Sequence, residues 1–439
     1  MMACTQQCAY QRRLAGAKVT VEPDHHARME QRRQLVAKGV GCHLIRQVQG
    51  QRRRLIIRIM HAGNSQTDAS LADGQTDYAH VVRRIRQWGQ ELGFASIGIA
   101  RAELAEATPR LMRWLALGRH GEMDYMAKHA ALRAAPERLL PEVLSVISVR
   151  LPYWPVAADA SAQLADGERA YVSRYALGRD YHKTLRSRLQ KLIDRLRHEA
   201  ASLGLAAPFA CRAFSDSAPV METEFAVQAG VAWRGKHTLS LTREGSWHFL
   251  GEIYTTLPLP PDQAIHDHCG DCRRCLDACP TAAIVAPYEV DARLCISYLT
   301  IELPGAIPVA LRPLIGNRIY GCDDCQLCCP WNRFARIGDA DFAVRNGLDA
   351  TPLTALFAWS ENEFNTRLAG SAIRRIGYQR WLRNIAVALG NAPSSPAIVA
   401  ALAARQDDPS PLLREHVAWA LAAQAGRHRE PLDDAHGHG

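Results

Sequence analysis

The sequence predicts an α+β protein built in three parts behind a basic leader. Three observations carry this. Residues 77–262 mix helical stripes with strand-like runs, residues 263–340 hold nine of the thirteen cysteines, and the chain beyond about 350 is alanine-rich and internally repetitive. The segments are drawn at 1–75, 76–262, 263–340 and 341–439.

The leader comes first. Residues 1–60 hold twelve Lys/Arg against three Asp/Glu, so the whole net charge of +9 sits there. With QRR, QRR and QRRRLIIR and no sustained periodicity, the segment reads as a disordered extension, with Met60 a plausible internal start. An RNA-binding arm is the other reading of the same charge. Arg12-Arg13 is not followed by the apolar run an export signal needs, and no stretch is long and apolar enough to span a membrane. A cytoplasmic protein is expected, where clustered thiols mean metal or redox chemistry rather than disulfides.

In the first organised part, VVRRIRQWGQELGF (81–94) has apolar residues at 81, 82, 85, 88 and 92, a helical stripe ending near Gly93. ASIGIA (95–100) and VLSVISVRL (143–151) read as strands, with a helix around 109–118 between them. Residues 155–168 read as a loop. A long amphipathic helix covers 182–204, and 231–257 alternates like strands about a turn at Glu244-Gly245. LPLPPD (257–262) closes the part as a linker.

CGDCRRCLDACP supplies Cys269, Cys272, Cys275, Cys279 and Pro280 as C-x2-C-x2-C-x3-C-P. That spacing is the bacterial ferredoxin run for a [4Fe–4S] cube, whose fourth cysteine serves the other cluster in two-cluster proteins. GCDDCQLCCPWN supplies the partner set, Cys322, Cys325, Cys328 and Cys329, and Cys295 stands between. Two cubes need eight thiolates and nine are present. Cys-Pro favours Cys329 over Cys328. Cluster one is assigned Cys269, Cys272, Cys275 and Cys329; cluster two Cys279, Cys295, Cys322 and Cys325. Cys328 is left as a small buried apolar residue. Zinc knuckles fit the spacing less well.

In the last part, LRNIAVALGN and REHVAWALAAQ repeat at 32 residues, as in a short α-solenoid. Residues 366–406 hold six arginines and no acid, with Tyr378 and Trp381 among them. Arg374, Arg375, Arg380 and Arg383 would form a basic face for RNA phosphates; a solvated face with Trp381 in the core is the competing reading.

Nucleotide motifs are weak. Gly230-x4-Gly235-Lys236 approaches a Walker A loop, but His237 stands where magnesium needs Ser or Thr. Asp216, in FSDSAPVMETEF, is a candidate acid or a turn residue; Asp180 in GRDYHK opens a helix.

YALGRDYH, FSDSAPVMETEFAVQAGVAWRGKHTL, the double cysteine run, DARLCISYLTIELPGAIP and GSAIRRIGYQRWLRNIAVALGN together resemble the epoxyqueuosine reductase family over about residues 77–425. The resemblance implies a cobalamin-binding α+β domain, a ferredoxin-like two-[4Fe–4S] module and C-terminal HEAT-like helical repeats. It implies reduction of epoxyqueuosine to queuosine at the tRNA wobble position, the last step of that nucleoside's synthesis. Cobalamin would be the second cofactor, tRNA the partner, and an external donor the electron source, with no membrane involved. It implies Asp216 as proton donor, corrinoid contacts from Arg133, Tyr181, His182, Lys236 and Ser240, and an apolar residue at position 328. The D-x-H-x-x-G corrinoid signature is missing: Asp180-Tyr181-His182 begins it, but Leu185 stands at the glycine. A reductive dehalogenase on small molecules and a non-catalytic ferredoxin-type carrier or activator are the alternatives.

Overall fold

Asp77 caps helix α1 (Tyr78–Glu91) by accepting the His80 amide at 3.0 Å. The structure is a computed structural model that describes residues 76–206 and 208–428; the leader over 1–75 lies outside them. The described residues belong to one compact unit, Gly74–Gly439. No helix among them is long and apolar enough to cross a membrane.

The mixed part is built on β1 (Ser96–Arg101), α2 (Ala107–Ala116), β2 (Ser145–Pro152), α3 (Tyr181–His198), β3 (Cys211–Phe214), α4 (Glu222–Gln228) and β4 (His248–Thr255). The four strands form one sheet in the order β1-β2-β4-β3, antiparallel throughout. Both faces are covered, which explains why β2 and β4 read as nearly continuous apolar runs. On one face Ile147, Val149, Phe249 and Ile253 pack with Val81, Ile85, Leu185 and Leu189 from α1 and α3. On the other, Val146 and Tyr254 meet Phe225 and Ala226 of α4. The approach of α4 to β1 is close enough that a Cβ on Gly98 would lie 2.0 Å from the Ala229 carbonyl oxygen. One acid interrupts this packing: Glu252 of β4 is fully buried, pairs with Ser148 at 3.5 Å, and leaves Oε2 unpartnered.

Three expectations shift. The loop over 155–168 contains a short helix, Ala160–Ala165, capped by Asp159. The long helix ends at His198 rather than near 204, because Leu203 and Leu205 fold back into the core with the Leu205 amide on the Ala200 carbonyl. Residues 231–257 make a small hairpin, Trp233–Arg234 with Ser240–Leu241, and then β4, joined by the turn at Thr242–Gly245.

The cysteine-rich part is made of short pieces. Its strand Arg318–Tyr320 pairs in parallel with Tyr171–Val172 of the mixed part. Beside that junction the buried Asp323 carboxylate accepts Tyr171 Oη at 2.8 Å, Ser173 Oγ at 2.5 Å and the Arg174 amide at 2.8 Å. The C-terminal part contains α5 (Gly377–Asn391), α6 (Pro396–Ala403) and α7 (Pro411–His428). The two repeat-bearing helices, α5 and α7, pack on each other through residues such as Ile385, Leu389, Leu413 and Val417. Their core continues through Ile319 and Tyr320 to Val172 and Ala176. The sequence boundary at 340 therefore crosses a shared core.

Candidate functional site

Asp216 follows β3 in the left-handed region, with φ +46. That conformation is costly for a residue with a Cβ and persists where surrounding bonds hold it. They do so here. The Asp216 amide donates to the Glu222 carboxylate at the start of α4, and Tyr181 Oη donates to Asp216 Oδ2. His182 Nε2 lies 3.0 Å from the same oxygen, while His182 Nδ1 lies 2.8 Å from Asp180 Oδ1. Asp180 is itself the N-cap of α3, accepting the His182 amide at 3.1 Å. The helix start and the candidate acid are thus one constellation. Tyr181 is fixed by stacking on Phe249 at 4.1 Å and 3°.

An imidazole between two carboxylates donates from both nitrogens only as the imidazolium. Burial opposes that charge, but the bonds to Asp180 and Asp216 outweigh it and raise the His182 pKa to about 9. Burial pushes Asp216 upward, yet its bonds from His182 and Tyr181 win and hold it below the ordinary carboxylate range. Burial and the neighbouring Asp216 charge raise Glu222 to about 8. In this state Asp216 is the anion and its two neighbours hold protons. Arg133 is nine-tenths buried, donates to the Tyr125 carbonyl at 3.3 Å, and its charge acts on Glu222 and Asp216.

Among the described residues, no three His, Cys, Asp or Glu side chains converge as around a single metal ion. The cysteines instead line two cavities. One, of about 240 Å³, has Cys269, Cys272, Cys275 and Cys329 in its wall. The other, of about 350 Å³, has Cys279, Cys295, Cys322 and Cys325. Cys328 lines neither; it is half-buried, with Sγ 3.5 Å from the Cys325 carbonyl oxygen. The second cavity continues to Tyr175, Tyr181, Ser240, His248 and Phe249. It therefore runs from one cysteine set to the tyrosine that donates to Asp216. His237 lies in both walls with Nε2 buried and unpartnered.

Of the other expected contacts, Ser240 faces this cavity and bonds His248 at 2.9 Å. Lys236 is drawn to the first cysteine loop instead, donating to the Gly270 and Cys272 carbonyls. The basic face divides. Arg374 and Arg375 are exposed, and Arg375 pairs with Glu302. Arg383 is a correction: it is fully buried, and its guanidinium donates to the carbonyls of Leu299, Leu303 and Gly305. No phosphate can reach it. Arg380 is half-buried and reaches the Ile301 carbonyl at 3.1 Å. Trp381 is fully buried against Trp359, so it is core and not a stacking platform.

The sequence reading missed Glu222, although an acid six residues after Asp216 at a helix start was visible. It also missed Glu252, whose signal is a lone acid within the apolar run HFLGEIYTTL.

Comparison with known proteins follows this geometry. A family model described as "Epoxyqueuosine reductase QueG, DUF1730" matches residues 133–217, and one described as "4Fe-4S double cluster binding domain" matches 268–332. An epoxyqueuosine reductase from Pseudomonas aeruginosa is 56% identical over 360 residues, covering 81% of this chain and 98% of the relative. One from Escherichia coli is 54% identical over 353 residues, covering 80% and 91%. A crystal structure of an epoxyqueuosine reductase with an epoxyqueuosine-modified tRNA-Tyr stem loop superposes with a TM-score of 0.71 at 27% identity, covering 82% of this chain and 96% of that one.

Proposed function

This chain belongs to the epoxyqueuosine reductase family and reduces epoxyqueuosine to queuosine in tRNA; we propose that it does so with Asp216 as proton donor, fed by electrons from the two cysteine cavities. The double-cluster match supports iron–sulfur cofactors. Their ligands would be Cys269, Cys272, Cys275 and Cys329 for one cube and Cys279, Cys295, Cys322 and Cys325 for the other.

The observation that carries this reading is the second cavity, which joins a cysteine set to Tyr181 and through it to Asp216. The residues of this wall that would meet a bound cobalamin are Tyr175, Tyr181 and Phe249 by their aromatic surfaces, Ser240 by its hydroxyl and His237 by its unpartnered nitrogen. Bound there, a corrinoid would supply a metal centre able to deliver electrons to an epoxide carbon. Arg133 lies beside Asp216 as a fixed positive charge.

Opening an epoxide to an alkene and water takes two electrons and two protons. The alkoxide is a poor leaving group, so proton delivery must coincide with bond cleavage. Asp216 as the anion cannot donate. It must first take a proton from His182 or Glu222, both of which hold one at neutral pH. Two protonated groups beside one acceptor, the His182 imidazolium and the neutral Glu222 acid, match the two protons required. Arg374, Arg375 and Arg380 would bear on the anticodon stem, and Arg375 acts electrostatically on Asp216 as well.

Asp216→Asn tests the acid role. Iron content and the visible spectrum with added cobalamin should stay as in the parent, while queuosine formation from modified tRNA stops. Retained turnover would remove Asp216 from the chemistry.

A further inference from the structure

The two cysteine cavities are not equivalent. The second is shared with Tyr181, Ser240 and His248, and so faces the chemistry. The first is walled by Lys236, His268, Arg274, Trp331, Arg333 and Phe334, and one of its cysteines, Cys272, is exposed. If the cavities conduct as proposed above, electrons enter at the first.

The surface around that entrance has an unusual make-up. Phe334 is 48% exposed, Ile337 63% and Val156 75%. They are neighbours: the Gly338 amide donates to the Trp154 carbonyl at 2.8 Å, which lays the segment holding Ile337 beside the one holding Val156. The Arg333 guanidinium lies 4.6 Å over the Phe334 ring. Arginines surround this apolar centre. Arg273 and Arg336 meet carboxylates only at 3.8 and 3.6 Å, with two-thirds and more of each side chain in solvent. Arg274 and Arg333 make no ion pair among the described residues. Exposed apolar groups beside exposed, loosely paired arginines are the make-up of a protein-binding patch.

We propose that this face docks an acidic one-electron carrier protein of the flavodoxin or ferredoxin class. Each docking moves one electron: the carrier is oxidised by one, the first cluster is reduced by one, and no proton is exchanged there. Two dockings supply one alkene. The arginines provide charge complementarity and steer the encounter, and Phe334, Ile337 and Val156 supply the contact that brings the redox centres close. A phosphate backbone would use the arginines but leave the three apolar side chains unsatisfied, which favours a protein over RNA on this face.

The test uses the full chain with reconstituted clusters and no tRNA, so it stands or falls apart from the substrate assignment. Stopped-flow bleaching of cluster absorbance is followed with reduced flavodoxin as one probe and reduced methyl viologen as the other. In R273E/R336E, reduction by flavodoxin should slow roughly 10- to 100-fold at low salt and lose most of its salt dependence. Reduction by methyl viologen and iron content should not fall. Ile337→Ala, at a side chain outside the cavity wall, should slow only the flavodoxin reaction. An unchanged flavodoxin rate or an equal loss with both reductants would each overturn the proposal.

Discussion

His182→Gln is the most informative single change. Glutamine can keep a hydrogen bond to Asp216 but cannot carry the charge. In the parent, burial disfavours the imidazolium, yet bonds to Asp180 and Asp216 lift the pKa from 6.5 to about 9. That lift corresponds to about 3 kcal/mol of preference for the charged form, an upper bound because half of the Asp216 side chain is in solvent. The sign follows. A pKa higher in the folded protein than in the unfolded chain stabilises the fold fully below about 6.5, and that contribution drains away as pH rises through about 9. Denaturant melts across this range should show the gap between parent and variant largest in mild acid and closing in base. Single-turnover queuosine formation, read by nucleoside mass spectrometry, should show an alkaline limb near 9 in the parent. The variant should lose that limb, fall off instead near 8 as Glu222 gives up its proton, and run ~100-fold slower at neutral pH, the scale of a lost general acid. A stability gap constant with pH, or an unshifted limb at parental rate, would refute the relay.

Other outcomes follow from the same geometry. Cys328→Ser should retain the iron of the parent, whereas Cys329→Ser should lose about half of it by metal analysis, since only Cys329 lines a four-cysteine cavity. Arg383→Met should lower the melting temperature, with a loss of ~3 kcal/mol from three stranded carbonyls, without changing the salt slope of tRNA binding. R374E/R375E should do the opposite, weakening tRNA binding and flattening that slope in filter-binding titrations. Glu252→Leu should be tolerated or stabilising in denaturant melts, because it replaces an acid with an unpartnered oxygen in an apolar layer.

Legibility in the sequence tracked the range of the interaction. The cysteine spacings within each run are local, but each cavity also takes a cysteine from the other run, Cys329 in the first and Cys279 in the second. The stripe of α1 and the runs of β1 and β2 are also local, and they were visible. The pairing of Asp216 with His182 joins residues 34 apart through a sheet edge, and no periodicity encodes it. The charge pattern misled at Arg383 because composition counts a cation without saying which way it points. The helix is buried all round from Trp381 to Gly390, so Arg383 is enclosed, whereas Arg374 is exposed in the turn Ala372–Ile376 before the helix begins. The contact of Lys236 with the Gly270 and Cys272 carbonyls joins segments more than thirty residues apart and had no signal in the sequence either.

The π-turn Tyr298–Glu302 hands its carbonyls to Arg380, Arg383 and Asn384 of α5. A rivet of this kind makes the last hundred residues a poor candidate for excision or for grafting onto another enzyme. Cutting the chain there would strip the lids from a row of main-chain oxygens on one fragment and leave a naked guanidinium in oil on the other. The proposed grip on the nucleic acid and the proposed conduit for electrons would then be assembled together during folding, and any drift in one would be felt as a misalignment of the other.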